Sequence, residues 1–349
     1  MRAHNKVQDT SAIKRHKTAS ALIYGPSHDN DDGPKTMLDA ARPDFETKNR
    51  LTELIKTHAL EPGRTASPLD RVDFYRADEP TECRPVVYQP SIIIVAQGSK
   101  CGLLGENRYQ YDAYNYLVLS VPLPLVAQVE EASPENPFLS MCISVDPVTL
   151  GDLLIDLEED SARCEDGIYA ENPSGIEQAI HAAPLTDHIA SAAVRLIEAM
   201  DHETDRKVLA NQILREIIYR VLVGERGACL RAAARRGGKF HQLAEVLRTI
   251  HTRYNEAFSI DDMASIAGMS ATAFHANFKA VTSMTPLQYL KNIRLHQARG
   301  MMIRDGMNAS TAAFRVGYAS PFQFSREYKR LFGAPPSREV RDAALEYSL

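Results

Sequence analysis

Near its C-terminus the chain writes one helical phrase twice, and this repeat constrains the fold more than any other feature. The first copy places Ala264, Gly268-Met269, Ser270, Phe274, Phe278, Lys279 and Pro286; the second places Ala313, Gly317-Tyr318, Ser320, Phe324, Tyr328, Lys329 and Pro336. From each serine onward the offsets agree residue for residue. A small Ala four residues before a Gly lets two helices approach closely, and the Gly can take the positive φ needed to leave the first helix sharply. Ser270 and Ser320 then offer side-chain oxygens to the unpaired N–H groups of a second helix. Ser320 is followed by Pro321 at the first helical position and Gln323 at the third. Aromatic residues four and eight positions on share one helical face and can bury it, which leaves the opposite face outward. The expected result is two helix-turn-helix units in tandem.

Between the copies, Thr285-Pro286-Leu287-Gln288 reads as an N-cap with Pro at the first helical position and Gln at the third, opening an apolar-rich run to about Ile303. A helix of that length is a rod of roughly 27 Å. Consecutive major-groove faces of a duplex lie about 34 Å apart, so one chain can present two helices to adjacent grooves. Either hairpin alone is an ordinary helical pair; two copies on one rod are a nucleic-acid reader.

Residues 239–340 resemble the DNA-binding domain of the AraC/XylS family of bacterial transcription regulators. The resemblance rests on Arg299, Gly317-Tyr318, Phe324, Tyr328-Lys329, Phe332-Gly333 and Pro336. It implies base-reading positions at Thr272, His275 and Ala276 on the first recognition helix, and at Pro321, Phe322, Ser325 and Arg326 on the second. Lys279, Lys329 and Arg330 are the phosphate candidates. Two departures from the family pattern matter. Ala276 stands where a long polar or basic side chain is frequent, and Pro321 and Phe322 replace polar residues. An Ala or Phe can touch a thymine methyl but cannot hydrogen-bond a guanine, so readout leans apolar there, and Arg326 is the candidate for a bidentate guanine contact.

A net charge of −5 looks wrong for such a protein until its distribution is read. From Lys239 to Leu349 there are 14 Lys and Arg against 9 Asp and Glu, whereas the rest has 26 against 36. A basic module on an acidic body is the footprint expected when one domain meets phosphate. No stretch approaches the ~18 apolar residues of a membrane span, and the N-terminal residues show no apolar core behind their basic ones. The protein is therefore read as cytoplasmic, with no membrane partner. Its five cysteines (Cys83, Cys101, Cys142, Cys164, Cys229) are odd in number and form no Cys-x-x-Cys pair, which fits reduced thiols.

Upstream the texture changes. Short runs rich in Val, Ile, Leu and Tyr at 72–75, 92–97, 109–111, 116–121, 126–129 and 138–145 are punctuated by Gly98, Gly105, Pro122, Pro124 and Pro134 to Pro137. Even strand spacing with such breakers indicates an antiparallel barrel or sandwich. The segments Tyr88-Gln89-Pro90-Ser91, Gln97-Gly98-Ser99-Lys100, Tyr109 to Asp112 and Tyr116 to Ser120, with Leu123-Pro124, are similar to the cupin-like N-terminal domain of one AraC-family branch. The fold class expected is α+β: an N-terminal antiparallel β-barrel, cupin-like, with helices, followed by an all-α double helix-turn-helix domain.

A cupin also suggests a metal-dependent enzyme, which needs imidazoles in the barrel. No histidine lies between His58 and His181. The strand region thus lacks the ligand set, and neither metal, cofactor nor catalytic residue is expected. A small-molecule pocket is the better reading, with Gln97, Tyr111, Ser120 and Gln128 as candidate lining residues. The alternatives are an architectural DNA-binding protein without an effector and a cupin-type enzyme fused to a DNA-binding module.

Helices are expected over 44–58, 150–157 and, as a pair, 187–223. In the pair Ile189, Val194, Ile197 and Met200, then Leu209, Ile213, Ile217 and Val221, recur at helical spacing. Core packing explains these stripes, while the resemblance implies a homodimer formed through helices placed here. Residues 227–238, with Arg231, Arg235 and Arg236, read as a flexible basic linker. The organisation expected is a disordered extension (1–45), a sensing and dimerisation domain (46–225), a linker (226–238), the DNA-binding domain (239–340) and a tail (341–349). Double-stranded DNA, a second copy of the chain, a small-molecule effector and RNA polymerase are the implied partners.

Overall fold

The computed structural model describes residues 41–161, 178–224, 226–235 and 238–338. Nearly all of the expected N-terminal extension, the tail and Cys164 lie outside the described residues. Helix α1 (Phe45–His58) starts where Asp44 accepts from the Thr47 N–H at 2.7 Å and turns Leu51, Leu54 and Ile55 inward. Nine strands follow: β1 (Gly63–Ala66), β2 (Val72–Ala77), β3 (Arg84–Tyr88), β4 (Ser91–Gln97), β5 (Ser99–Leu104), β6 (Asn107–Asp112), β7 (Asn115–Leu119), β8 (Leu123–Glu131) and β9 (Phe138–Ser144). After α2 (Pro147–Ser161), β10 (Ile180–Pro184) completes the strand region.

All pairings are antiparallel. One sheet runs β1-β2-β9-β4-β7-β10 and the other β3-β8-β5-β6, so the expected barrel is not closed but opens into a two-sheet sandwich. The six-stranded sheet is buried on both faces, and its side chains sort by strand alternation. Phe74, Ile92, Ile94, Val118, Leu139 and Met141 face a helical layer built from α1, α3 (Asp187–Met200) and α5 (Ala210–Val223). Ile93, Val95, Leu117, Leu119 and Phe138 face the second sheet.

The helical stripes of α3 and α5 are spent inside this layer. Ile189, Ile197, Met200, Ile213, Ile217 and Val221 are buried against the sheet, whereas Leu209, which follows the short α4 (Glu203–Val208), is exposed. Any surface offered to a second copy is therefore not these stripes.

The segment expected to be a flexible linker is largely a helix. In α6 (Ala228–Ala234) Cys229 and Leu230 have no exposed area, and the Arg231 guanidinium donates to the Leu222 carbonyl. Its sequence, Ala-Cys-Leu-Arg-Ala-Ala-Ala, combines high helix propensity with an apolar face, which outweighs the flanking glycines.

The C-terminal half is all-helical: α7 (Lys239–Thr252), α8 (Ile260–Ile266), α9 (Ala271–Thr282), α10 (Pro286–Arg304), α11 (Ala309–Arg315) and α12 (Pro321–Phe332). One apolar cluster runs without a break from the inner faces of the sandwich through Phe240, Leu247, Phe274, Phe278 and Ile293, while Leu295, Met302, Val316, Phe324 and Tyr328 form a separate one. The first helix-turn-helix thus shares its core with the sandwich, and the second does not. No helix of the described residues is long and apolar enough to cross a membrane.

Candidate nucleic-acid interface

Both turns are built as the repeated residues require. Gly268 and Gly317 take φ values of +60° and +89°. Ser270 accepts from the Ala273 N–H and Ser320 from the Gln323 N–H, fixing the starts of α9 and α12. Thr285 and Gln288 form a reciprocal capping box at the start of α10, whose 19 residues make a rod of roughly 28 Å.

Phe274 and Phe278 are fully buried and meet edge to face at 5.4 Å; Phe324 and Tyr328 are fully buried on α12 at 5.5 Å. Burying that face turns the other outward. Thr272, Ala276 and Lys279 are exposed at the second, sixth and ninth residues after Ser270, and Phe322, Arg326 and Lys329 are exposed at the same offsets after Ser320. His275, Pro321 and Ser325 are half-buried beside these stripes, and Arg330 is exposed. Phe322 keeps 89% of its area exposed at the start of α12, an apolar knob with no packing duty inside the chain.

Three groups that the repeat alone does not reveal hold the two units in place. Arg294 on α10 donates to the carbonyls of Tyr254 (2.7 Å), Glu256 (2.7 Å) and Gly317 (3.2 Å), tying the entry to α8 to the turn before α12. Glu327, buried on α12, accepts from Lys291 Nζ at 2.9 Å, the Tyr318 hydroxyl at 2.8 Å and Gln323 Nε2 at 3.2 Å. Burial favours its neutral form, but the hydrogen bonds from Lys291, Gln323 and Tyr318 win and hold the carboxyl below its ordinary range. The same burial, with Glu327 as acceptor, pushes the Tyr318 phenol up. Third, Tyr289 on α10 is wholly buried and donates to the Pro122 carbonyl of the sandwich at 2.6 Å. A second contact lies nearby: a Cβ on Gly105, at the tip of the β5–β6 hairpin, would meet the Cβ of Ser283, the C-cap of α9, at 3.0 Å.

The four residues proposed to line an effector pocket are not brought together. Tyr111 is fully buried on the inner face of β6, with its hydroxyl 3.2 Å from that of Tyr88. Ser120 is buried and donates to the Ala179 carbonyl, and Gln97 Nε2 donates to the Pro137 carbonyl at 2.8 Å. Gln128 alternates with the inward Leu125 and Val129, so it lies on the outer face of its sheet, where it accepts from the Cys83 thiol. The inward residue that sequence reading passed over is Lys100. Only the strand register, which places it opposite Tyr111, shows that it faces the other sheet.

A β-sandwich is here joined to two helix-turn-helix units carried on one rod, the arrangement of a chain with a strand half and a double helix-turn-helix half. Residues 68–229 match the AraC-type transcriptional regulator N-terminus, and residues 263–342 match a helix-turn-helix domain. The chain belongs to the AraC/XylS family of transcription regulators. It is similar to the transcriptional activator RhaS of Klebsiella pneumoniae, at 29% identity over 44% of this chain and 54% of that one. It is also similar to the activator RclR of Escherichia coli, at 34% identity over 27% of this chain and 34% of that one. The chain thus spans about half or less of the length of these relatives. The crystal structure of ToxT from Vibrio cholerae has the same fold, with a TM-score of 0.53 over 77% of this chain and 97% of that one at 12% identity.

Proposed function

We propose that this protein is a sequence-specific transcription regulator that reads double-stranded DNA with α9 and α12 and senses a small molecule with its sandwich. The observation that carries the reading is the pair of exposed stripes at identical offsets, one per recognition helix, each backed by a buried aromatic pair and both mounted on α10. Relatives that match part of the chain are transcriptional activators, in keeping with a role in regulation rather than catalysis. For the sandwich, the support is a core continuous with the first helix-turn-helix, so that a change in one is felt by the other. ToxT, which shares the fold, has been solved with an unsaturated fatty acid bound.

The reading places the protein in the cytoplasm, as a homodimer on paired half-sites, with RNA polymerase as a further contact. Footprinting on genomic fragments, followed by competition with random duplex, tests it. Protection of discrete sites that resists random competitor is the expected result; uniform coverage without preferred sites would establish the architectural alternative instead.

A further inference from the structure

A lysine stands on the inner face of the sandwich. Lys100 on β5 pairs across the strand with Tyr111, and alternation points it at the six-stranded sheet together with Gly102 and Leu104. Its ammonium lies 4.6 Å from the ring centre of Tyr75, 5.7 Å from that of Tyr88 and 5.9 Å from that of Phe138. Among the described residues no carboxylate comes within ion-pair distance of it, and no oxygen accepts from it.

Ring faces attract a cation but satisfy none of its three N–H donors as an oxygen does. A half-buried ammonium keeps part of its acceptor shell from solvent, and a carboxylate seated there can take that place. The side chains around it are partly exposed although they point between two sheets: Tyr75, Tyr88 and Cys142 border the inner core without being closed over by it. Asp73 alternates onto the same inner face and is taken up by Arg64 at 2.7 Å. Lys100 is thus the unbalanced charge of this opening. Tyr88 and Tyr111 add a donor, because only one of their two hydroxyl protons can lie between their oxygens, 3.2 Å apart.

We propose that Lys100 anchors the carboxylate of an aromatic or arylalkyl acid, whose apolar body lies against Tyr75, Tyr88 and Phe138. This rests on the reading of the sandwich as the sensing domain and names its ligand class. A carboxylate matches the ammonium in charge and accepts the free donors, and aromatic walls favour a flat apolar body over a polyhydroxylated one. The position also gives the ligand a physical link to DNA, since Lys100 and Tyr111 belong to the hairpin whose tip, Gly105, touches the cap of α9.

Calorimetric titration of the full chain with 4-phenylbutyrate, and with its neutral amide, tests the proposal. The acid should bind at one equivalent per chain, and the amide about tenfold or more weakly. Lys100→Met, which keeps the length and removes the charge, should lower acid affinity by about tenfold or more. Lys100→Arg, which keeps the positive charge on a bulkier planar group, should still bind the acid more tightly than the amide. Acid and amide binding equally, or Lys100→Met binding the acid as wild type does, would overturn the carboxylate assignment and leave small-molecule sensing standing. If neither compound binds at millimolar concentration, the ligand class falls, and footprinting without ligand then decides separately whether the DNA-reading assignment survives.

Discussion

Tyr289 donates its hydroxyl to the Pro122 carbonyl at 2.6 Å, joining α10 to the turn between β7 and β8 inside a fully buried site. With its proton spent there, the phenol oxygen accepts from His251 Nε2 at 2.9 Å, which places a proton on that nitrogen. Replacing Tyr289 by Phe would leave a buried carbonyl and a ring N–H without partners. The loss should be on the order of 2 kcal/mol, read as a lower urea midpoint at unchanged slope. A variant as stable as wild type would show that this bond does not join the sandwich to the helical half energetically.

Acid should weaken the helical half from about pH 6.5 downward. Burial pushes the His251 imidazole down to about 4, and burial together with the nearby Arg299 guanidinium does the same for His296. The unfolded chain binds these protons near 6.5 and the folded one only near 4, so unfolding takes up protons between those values. Stability is then full above about pH 6.5 and falls as pH drops towards 4, by on the order of 2 kcal/mol per histidine at pH 5. Glu327 acts in a lower window, because its lowered pKa removes stability as pH falls below the ordinary glutamate value of 4.5. Urea midpoints at pH 8, 6.5 and 5 measure the histidine effect. His296→Gln should flatten the dependence by about half, and an unchanged slope would point to other groups.

How much of this was legible in the chain follows from which forces are local. Caps, glycine turns and aromatic spacing act within ten residues, so Ser270, Ser320, Thr285 and the buried faces of α9 and α12 could be placed by counting. The strands with continuous apolar runs, such as the β-branched β4 and the Phe-, Leu- and Met-rich β9, were equally plain, while β1, β3, β5 and β10 were not. Arg84-Pro85-Val86-Val87-Tyr88 and Ser99-Lys100-Cys101-Gly102 carry a breaker in mid-run and become strands only because a neighbour supplies the ladder. The inward direction of Lys100, the grip of Arg294 on three carbonyls and the meeting of Tyr289 with Pro122 join residues far apart in sequence, and no local pattern encodes them.

Along the recognition helices, equal offsets should conceal unequal roles. Arg326 is exposed two residues beyond the buried Phe324, so Arg326→Ala should cost about 1–3 kcal/mol on the true site and relax preference at one base pair. Lys279→Ala and Lys329→Ala should weaken binding alike on all sequences and flatten the salt dependence by about one unit each. Ala276→Arg should strengthen nonspecific binding while changing sequence preference. If Arg326→Ala lowered affinity equally for the preferred site and random duplex, α12 would be a phosphate-contacting helix instead of a base reader.

The two turn glycines are equivalent in the repeat but not in their surroundings. Gly268 has φ +60°, and a Cβ there would find only Gln242 Nε2, at 3.8 Å. Gly317 has φ +89°, and its Cβ would lie 2.6 Å from the Asn255 carbonyl oxygen and 3.1 Å from the Arg294 guanidinium that grips this turn. Ala at 268 therefore adds the left-handed backbone cost alone, about 1–2 kcal/mol. Ala at 317 adds the same cost and must also push apart backbone that Arg294 holds together, so the α11–α12 turn moves or the arginine lets go. Thermal melts should show Gly317→Ala clearly less stable than Gly268→Ala, with DNA binding lost at temperatures where Gly268→Ala still binds. Equal melting temperatures would mean that the contact between this turn and Asn255 yields without cost, and that Arg294 does not fix the second helix-turn-helix against the first.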